Sequence, residues 1–240
     1  MKTLQYIHER LSDAELRKKL ATVVEDVDAL VPLSDAEFGE IQKFGLYPAE
    51  ECVPFITKQG TSFYHLDNMS LVPKDDFRNY LQYGDFKFRQ LEVHYNMPRM
   101  DSVEAHEWLK NNLFQGCRID ARKKMEYKAK FRGFERADWK TIQVEWMKYC
   151  LMLKYRCNAL FRKDLSACRG KLPVEDATNT KYASNLFWGA ALVEVEGQKF
   201  YFGCNVLGKL HVQLRENNGK LAYELPADMH LFGKPIHSLV

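Results

Sequence analysis

The 240-residue sequence contains no run of apolar residues long enough to cross a bilayer. A membrane-spanning helix needs about 20 such residues in succession, so we expect no membrane partner. Met1 is followed by a polar, amphipathic segment, whereas a secretory signal peptide begins with a cationic stretch and an apolar centre. The sequence therefore favours a cytoplasmic protein.

Two kinds of chemical framework are also missing. The cysteines show neither a CxxC pair nor zinc-finger spacing, and no His-x-x-x-His pair occurs. A chain of this length does not depend on disulfides, so we expect reduced and mostly buried thiols at positions 52, 117, 150, 157, 168 and 204. We interpret His94 and His106 as hydrogen-bonded structural residues and predict no metal and no cofactor.

The sequence has little net charge. The value of +3 is the difference between 35 basic and 32 acidic residues, which excludes a strong electrostatic field around the whole molecule. Charge is concentrated locally, because Arg122 to Arg136 carries seven Lys or Arg against two Glu. This stretch is either a solvated helix face or a rim that faces phosphate groups.

Hydrophobic residues make up 46% of the chain, enough for one substantial core. Ser12 to Glu15 and Ser34 to Glu37 repeat the sequence Ser-Asp-Ala-Glu, the pattern of a capping box. Two helices should follow, the first stopping at Pro32 and the second near Gly45. We expect an N-terminal helical and strand extension over 1–75, a main domain over 76–218, and a tail over 219–240.

Hydrophobic spacing predicts the middle of the chain. Short strands are expected over 51–72 around the turn at Lys58 to Thr61, and a short helix should begin at Pro73 to Asp76. Alternation from Phe86 to Tyr95 predicts a half-buried strand. Asp101 and Ser102 can cap a helix that continues to Lys110.

The C-terminal half should begin with the longest helix, from Asp138 as its N-cap through Leu160. A hairpin is expected over Ala190 to Phe202, turning at Glu196 to Gln198. The last helix should begin near Asn205, and Leu221 to Leu225 can add an edge strand. These elements predict an α+β fold that is predominantly helical, with short β-hairpins.

The most informative segment is Asn185-Leu-Phe-Trp-Gly189, followed by Gly203-Cys-Asn-Val-Leu-Gly-Lys-Leu210 and Leu214-Arg215. An aromatic pair ending in glycine can stack a flat ring, and a glycine turn that opens a helix can offer backbone N–H groups to an anion. This pattern favours a nucleotide-like ligand. The ordinary alternative is a core aromatic pair followed by a common type of helix start.

Several separated segments form a further pattern: Tyr83-Gly-Asp-Phe86, Ser102-Val-Glu-Ala-His106, Arg136-Ala-Asp-Trp139, Met147, Lys154-Tyr155, Val174-Glu175, and the tryptophan and glycine segment from Asn185 to Arg215. Together they resemble the NADAR superfamily, the YbiA-like N-glycosidases, over about residues 83–216. The resemblance implies a NADAR-like domain with an added N-terminal helical region.

The resemblance also implies cleavage of an N-glycosidic bond. Known members of the family hydrolyse phosphoribosylated pyrimidine intermediates of riboflavin synthesis or remove ADP-ribose from guanine bases. The expected partner is therefore an ADP-ribose-derived or phosphoribosylated small molecule, or ADP-ribosylated nucleic acid.

Glu104 matches the motif glutamate of that family. Breaking a ribose C–N bond passes through an oxocarbenium-like state, which a carboxylate can stabilise or whose attacking water it can deprotonate. A glutamate in the first turn of a helix also favours the helix dipole without any catalytic role. Glu92 is an alternative carboxylate, since it lies near the same junction.

The resemblance assigns ligand contacts to further residues. Trp188 would stack the base with support from Phe187, and Lys110 and Arg136 are candidates for phosphate pairing. The remaining expected substrate-binding residues are Tyr83, Gly84, Asp85, Gly189, Gly203, Asn205 and Gly208, of which the last three would let the backbone approach the ligand.

The sequence departs from the family pattern at three places. Asn185 is the second predicted catalytic position beside Glu104, but relatives carry an acidic residue there, three positions before the motif tryptophan. An amide cannot act as a base, so general-base work at this position is lost or moved to Glu104. Lys87-Phe-Arg89 replaces a Ser-x-Asn-type segment, and the Ala190 to Phe202 hairpin replaces a glycine-rich link. Two further functions therefore stay open: an ADP-ribose or NAD-binding module without hydrolysis, and a nucleic-acid or protein interaction factor.

Overall fold

The computed structural model of the protein describes residues 41, 45–84, 86–114, 121–178, 185–195 and 197–236. Both capping boxes and most of the helices expected after them lie outside the described residues, as do Asp85 and Cys117. The added N-terminal helical region therefore stays a prediction. No helix in the described ranges is long and apolar enough to span a membrane.

The described residues form two compact units. Those of the first unit lie within the ranges Met1–Ile56, Gly60–Phe63 and Ser166–Arg215, and those of the second lie within Thr57–Gln59, Tyr64–Leu165 and Glu216–Val240. The expected domain limits at 75 and 218 stay a prediction.

The described residues combine helices with short strands. The strands are β1 (Gly45–Pro48), β2 (Cys52–Phe55), β3 (Leu81–Tyr83), β4 (Phe86–Phe88), β5 (Leu172–Glu175), β6 (Ala191–Val195), β7 (Gln198–Gly203), β8 (His230–Leu231) and β9 (Lys234–Pro235). The α-helices are α1 (Leu91–Asn96), α2 (Val103–Leu109), α3 (Ala121–Lys130), α4 (Trp139–Cys157), α5 (Ala159–Ala167), α6 (Asn185–Trp188) and α7 (Val206–Glu216). Short 3-10 helices cover Ala49–Glu51, Tyr64–Leu66, Phe77–Asn79, Met97–Arg99 and Arg132–Phe134, and a π-helix covers Lys110–Phe114.

The first unit contains an antiparallel sheet in the order β1-β7-β6 and a parallel pair, β2 with β5. The predicted hairpin is confirmed, because Val195 pairs with Gln198 and Gly197 takes a positive φ of 76° at the turn. A small core lies around these strands, formed by Tyr47, Cys52, Val174, Ala190 and Tyr201.

The expectation of strands on both sides of the 58–61 turn is half right. β2 precedes the turn, but Tyr64–Leu66 after it is a 3-10 helix. Side chains take the backbone donors that a strand would need: Asp67 accepts from the Met69 N–H (2.6 Å), and the Tyr64 hydroxyl accepts from the Leu71 N–H (2.8 Å). The short helix expected after Pro73 is confirmed as the 3-10 helix Phe77–Asn79.

The strand predicted from Phe86 to Tyr95 is wrong beyond Phe88. β4 ends there, and α1 begins at Leu91 with all six of its residues buried. A helix buried on every side has no polar face to reveal a helical period. Long-range contacts fix it in place, since the Trp146 indole donates to the Tyr95 carbonyl (3.1 Å).

Two helix predictions in the second unit are confirmed. α2 follows Ser102, whose hydroxyl accepts from the Ala105 N–H (3.2 Å). α4 is the longest described helix, with 19 residues. It ends earlier than predicted, because Asn158 adopts an extended conformation and its side chain accepts from the Phe161 N–H (2.9 Å) at the start of α5.

The edge strand predicted over Leu221 to Leu225 is wrong. The Leu221 N–H donates to the Met152 sulfur (3.3 Å) and the Glu224 N–H donates to the Glu145 carboxylate (3.0 Å), so side chains of α4 occupy these donors. Strand pairing occurs later, between β8 and β9.

Candidate functional site

The aromatic pair of the sequence motif lies on α6 in the first unit. Asn185 is the exposed first residue of this helix, and Trp188 is half-buried. The rings of Phe187 and Trp188 meet edge to face, with centroids 5.0 Å apart and an interplanar angle of 88°. An edge-to-face contact holds the indole at a fixed angle and leaves part of its surface accessible.

The three glycines of the motif, Gly189, Gly203 and Gly208, allow close contact between backbone segments. A Cβ atom on Gly189 would lie 2.2 Å from the Glu175 carbonyl oxygen, and one on Gly203 would lie 2.4 Å from the Gly189 carbonyl oxygen. A Cβ on Gly208 would lie 1.9 Å from the Pro173 carbonyl oxygen. Packing within the unit thus requires these glycines, and their predicted role in ligand approach stays a prediction.

Asn205 connects the same segments through hydrogen bonds. It is buried, has a φ of 48°, and its Nδ2 donates to the Pro173 carbonyl (2.9 Å). Its own N–H donates to the Gly189 carbonyl (3.0 Å), and the Cys204 N–H donates to the Leu186 carbonyl (2.7 Å). Two N–H groups near the start of α7 are therefore bonded inside the unit.

In the second unit, Tyr83 and Phe86 are the last pair of the β3–β4 hairpin. Gly84 occupies the turn with a φ of 54°, a left-handed conformation that favours glycine. Its carbonyl accepts from the Gln82 side chain (3.3 Å). This glycine has a clear role in the turn, and the binding role predicted for Tyr83 and Gly84 stays a prediction.

Glu104 lies in the first turn of α2 and is exposed to solvent. It forms no hydrogen bond or ion pair with any described residue. The other polar side chains of this motif have structural roles. The Ser102 hydroxyl caps the helix, and the His106 side chain is buried.

His106 is held at both ring nitrogens. Nδ1 accepts from the Phe232 N–H (3.1 Å), so Nε2 carries the proton that is donated to the Met100 carbonyl (2.8 Å). Burial lowers the pKa of this imidazole, which stays neutral. His94 is fully buried between Phe88 (5.0 Å between ring centroids) and Trp146 (4.9 Å), and burial lowers its pKa to about 3.

Both candidate phosphate cations have carboxylate partners. Lys110 Nζ lies 3.3 Å from the Glu107 carboxylate and 5.6 Å from the centroid of the Phe232 ring. Arg136 is buried, and its Nε and Nη2 each donate to Asp138 over 2.9 Å. This fork raises the pKa of Arg136 and lowers that of Asp138. Asp138 consequently pairs with Arg136 and makes no side-chain cap on α4.

Glu92, the alternative carboxylate, is in a different environment from Glu104. It is buried, forms an ion pair with Lys124, and accepts from Asn96 Nδ2 over 3.0 Å. Its N–H also donates to the Asn68 carbonyl (3.0 Å). These contacts account for Glu92 as a structural residue of α1.

Sequence reasoning gave no site role to Lys154, a fully buried lysine on α4. Its ammonium group donates to the Asp67 carbonyl (2.8 Å) and to the Ser70 hydroxyl (3.4 Å), and burial lowers its pKa to about 7. Burial also raises the pKa of Asp67. The sequence contains one indication that Lys154 is buried. It lies four positions after Cys150 and three after Leu151, which places it on the apolar side of α4.

The described side chains contain no cluster of three or more His, Cys, Asp or Glu suited to a metal ion. Reduced thiols occupy the five described cysteine positions, which are 52, 150, 157, 168 and 204, and all except Cys157 are buried.

The predicted site residues fall into two groups. Asn185, Phe187, Trp188, Gly189, Gly203, Asn205 and Gly208 belong to the first unit, and Tyr83, Gly84, Glu104, Lys110 and Arg136 belong to the second. Backbone contacts bring the first group together around α6 and the start of α7.

No family model and no curated protein matches the sequence. Among solved structures, the chain is similar to the NMR structure of the E. coli protein YbiA, with 18% sequence identity and a TM-score of 0.46. The similarity covers 70% of this chain and 84% of the YbiA chain. A similarity of this degree carries no conclusion about activity.

Proposed function

We propose that the protein is an N-glycosidase that hydrolyses the bond between ribose and an ADP-ribosylated guanine-type base or a phosphoribosylated base. The proposal starts from the sequence resemblance over about residues 83–216. One structural observation carries it further: Glu104 is an exposed carboxylate without a partner among the described residues, on a helix whose start is fixed by its own cap.

The chemistry needs a carboxylate with this kind of access. Hydrolysis breaks the bond between C1′ and the base nitrogen, forms a bond from C1′ to the oxygen of water, and returns a proton to the departing base. In this mechanism Glu104 stabilises the oxocarbenium-like state or takes the proton from the attacking water. Glu92 is less suited to either step, since Lys124 and Asn96 already occupy its carboxylate.

Trp188 is the proposed platform for the base. Its ring is half-buried and braced by Phe187, and stacking of a flat heterocycle on an indole face contributes about 1–3 kcal/mol per base. The glycines of the same segment serve packing, so we assign the recognition of the base to the indole.

Incubation of the full chain with ADP-ribosylated guanosine and, separately, with a phosphoribosylated pyrimidine tests the activity. Chromatography should detect released ADP-ribose or ribose phosphate together with the unmodified base. The Glu104→Gln variant should lower kcat by about 10²- to 10⁴-fold with little change in KM, because only the transition state loses an interaction.

Two controls separate the roles of these residues. Glu92→Gln, assayed at a temperature where it is folded, should retain kcat, and Trp188→Ala should raise KM more than it lowers kcat. Turnover by Glu104→Gln at the parent rate would refute the catalytic assignment. Loss of kcat in Glu92→Gln alone would transfer that role to Glu92.

A second candidate function is a module that binds ADP-ribose or NAD without hydrolysis. It is favoured by Asn185, an exposed amide at the position where related sequences carry an acid. This function predicts saturable binding of ADP-ribose in calorimetry, no product release, and equal affinity in the parent and Glu104→Gln proteins. Restoring the acid with Asn185→Asp would then create or increase hydrolysis.

A further inference from the structure

The second unit carries a basic surface on α3 and the turn that follows it. We define the α3 basic surface by Arg122, Lys128, Lys130 and Arg132 together with two exposed apolar residues, Met125 and Phe134. All six residues lie within 13 positions of the sequence.

Internal ion pairs neutralise only part of the charge in this stretch. Lys123 pairs with Glu126 (3.3 Å), Lys124 pairs with Glu92, and Glu135 pairs with Arg99. The four basic residues of the α3 basic surface form no ion pair with any described residue. Glu126 and Glu135, the two glutamates of the stretch, each pair with a cation outside the α3 basic surface, so the surface keeps an excess of positive charge.

A second observation agrees with this excess. Burial, followed by the positive charges of Arg99 and Lys124, lowers the pKa of Lys128, and the carboxylates of Glu135 and Glu92 offset part of this effect. An anion bound beside Lys128 would favour its charged form.

The apolar residues of the α3 basic surface are separate from the core. Tyr127 and Phe131 occupy the inner face, with ring centroids 5.5 Å apart, and Tyr127 stacks against Trp108 at 5.9 Å. Met125 is 66% exposed and Phe134 is 51% exposed. The Phe134 carbonyl accepts from the Asp101 N–H (2.7 Å), so a fixed backbone presents this ring to solvent.

We propose that the α3 basic surface binds single-stranded nucleic acid, with Phe134 stacking on a base and the four cations contacting phosphates. Proteins that bind single strands combine cationic side chains with exposed aromatic rings, because an unpaired strand offers both phosphates and open base faces. A duplex offers phosphates and the base edges in its grooves, but its base faces are covered by stacking. A lipid surface needs a continuous apolar helix face, and the apolar inner face of α3 is already packed.

This binding does not depend on the proposed N-glycosidase activity. Glu104→Gln should therefore bind single strands as tightly as the parent protein does, whether or not either protein has hydrolytic activity. An absence of hydrolysis would count against the N-glycosidase proposal alone, and an absence of strand binding would count against the α3 basic surface alone.

Fluorescence anisotropy with the full chain and labelled oligonucleotides of about 15 nucleotides tests the proposal. Parallel titrations use oligo-dT, oligo-U, a DNA duplex of equal length, and vesicles containing phosphatidylserine. Single strands should bind more tightly than the duplex or the vesicles. The logarithm of the binding constant should fall with the logarithm of salt concentration, with a slope of about 0.7 for each phosphate contact.

Charge and stacking are tested by separate variants. Lys130→Gln with Arg132→Gln should reduce the salt slope by about 1.4, from two lost phosphate contacts. Phe134→Ala should weaken binding about tenfold with no change in the slope, and Phe134→Tyr should restore it. The matched control replaces two exposed lysines of the same unit, Lys74 and Lys220, by glutamine and should keep both the affinity and the slope.

Three results would overturn the proposal: equal or tighter binding to the duplex or the vesicles, an unchanged salt slope in the α3 double variant, or an equal loss in the Lys74 and Lys220 control. All substituted residues are exposed, so thermal unfolding by circular dichroism should give the parent Tm for each variant.

Discussion

The starts of α2 and α7 look equally suited to a ligand in the sequence, but their environments differ. At α2 the cap comes from Ser102, and Glu104 in the first turn is exposed. At α7 the residues Asn205 to Gly208 are buried. The N–H and Nδ2 of Asn205 donate to the Gly189 and Pro173 carbonyls, and Gly208 packs closely against the Pro173 carbonyl. Polar residues at a helix start therefore indicate a ligand site only where the fold leaves them accessible.

The largest effect on stability should come from Gly208→Ala. The added Cβ would lie 1.9 Å from the Pro173 carbonyl oxygen, so the backbone must shift, at a cost of about 3 kcal/mol in free energy of unfolding. Alanine favours helix by about 1 kcal/mol over glycine, so a loss would measure the clash. Urea denaturation tests this change.

Gly133→Ala is the matched control for that substitution. Among the described residues, no atom beyond its two chain neighbours lies within 4 Å of a Cβ atom at this position, so the stability should change by less than about 0.5 kcal/mol. Equal stability of the two variants would show that the start of α7 is loosely packed. The difference between a tightly packed α7 start and an exposed α2 start would then no longer hold.

Asn205→Ala should cost about 2 kcal/mol. The substitution removes a buried hydrogen bond to Pro173 and places alanine at a φ of 48°, a left-handed conformation that disfavours it. Asn205→Gly loses the hydrogen bond but tolerates this φ, so it should be about 1 kcal/mol more stable than the alanine variant. The same order of stabilities in thermal unfolding would confirm both contributions, and the reverse order would contradict the assignment.

Acid should weaken the second unit through His106 in α2. The pKa of this imidazole is lower in the folded protein than its ordinary value of 6.5, so the unfolded chain takes up its proton first. The free energy of unfolding is therefore fully retained above pH 6.5 and falls below it, by at most about 1.4 kcal/mol per pH unit for one histidine. Urea denaturation from pH 7 down to pH 5 measures the slope.

His106→Gln provides the comparison for the pH dependence. Glutamine can still donate to Met100 but does not titrate in this range. The variant should lose stability less steeply than the parent as pH falls. His94, His65 and Lys154 should account for the remaining slope, because burial lowers the pKa of each, to about 3 for His94 and about 7 for Lys154. Parallel slopes in parent and variant would contradict the role of His106.

Ser102→Ala should cost about 1 kcal/mol, because α2 loses the hydroxyl that accepts from the Ala105 N–H. Ser102→Thr and Ser102→Asp keep a cap acceptor and should regain most of this free energy. A neutral result for alanine in thermal unfolding would mean that tertiary contacts alone hold the start of α2.

Local signals predicted much of this fold. The cap of α2, the hairpin of β6 and β7, and the beginning of α4 each depend on residues close in the sequence, and each is confirmed. α1 was mistaken for a strand because its burial comes from distant residues such as Trp146.

The site was harder to predict for the same reason. The pairing of Arg136 with Asp228 joins residues 92 positions apart (3.4 Å), and the glycines of the motif meet carbonyls of distant segments. In the local sequence, a glycine that leaves space for a ligand looks the same as a glycine that leaves space for a neighbouring backbone segment. Likewise, the sequence does not reveal that Glu92 is buried while Glu104 is exposed.

The smallest effect on stability should come from Glu104→Gln. The exposed carboxylate has no partner among the described residues and interacts only with the dipole of a short helix, which contributes about 0.5 kcal/mol.

Glu92→Gln provides the comparison, since it removes the buried charge of a partly buried ion pair with Lys124 and should cost about 1–2 kcal/mol. Because the two substitutions are chemically identical, the difference between their urea midpoints reports the environment of each carboxylate. If Glu104→Gln proved as destabilising as Glu92→Gln, Glu104 would be a structural residue, and the argument that it is available to a ligand would fail.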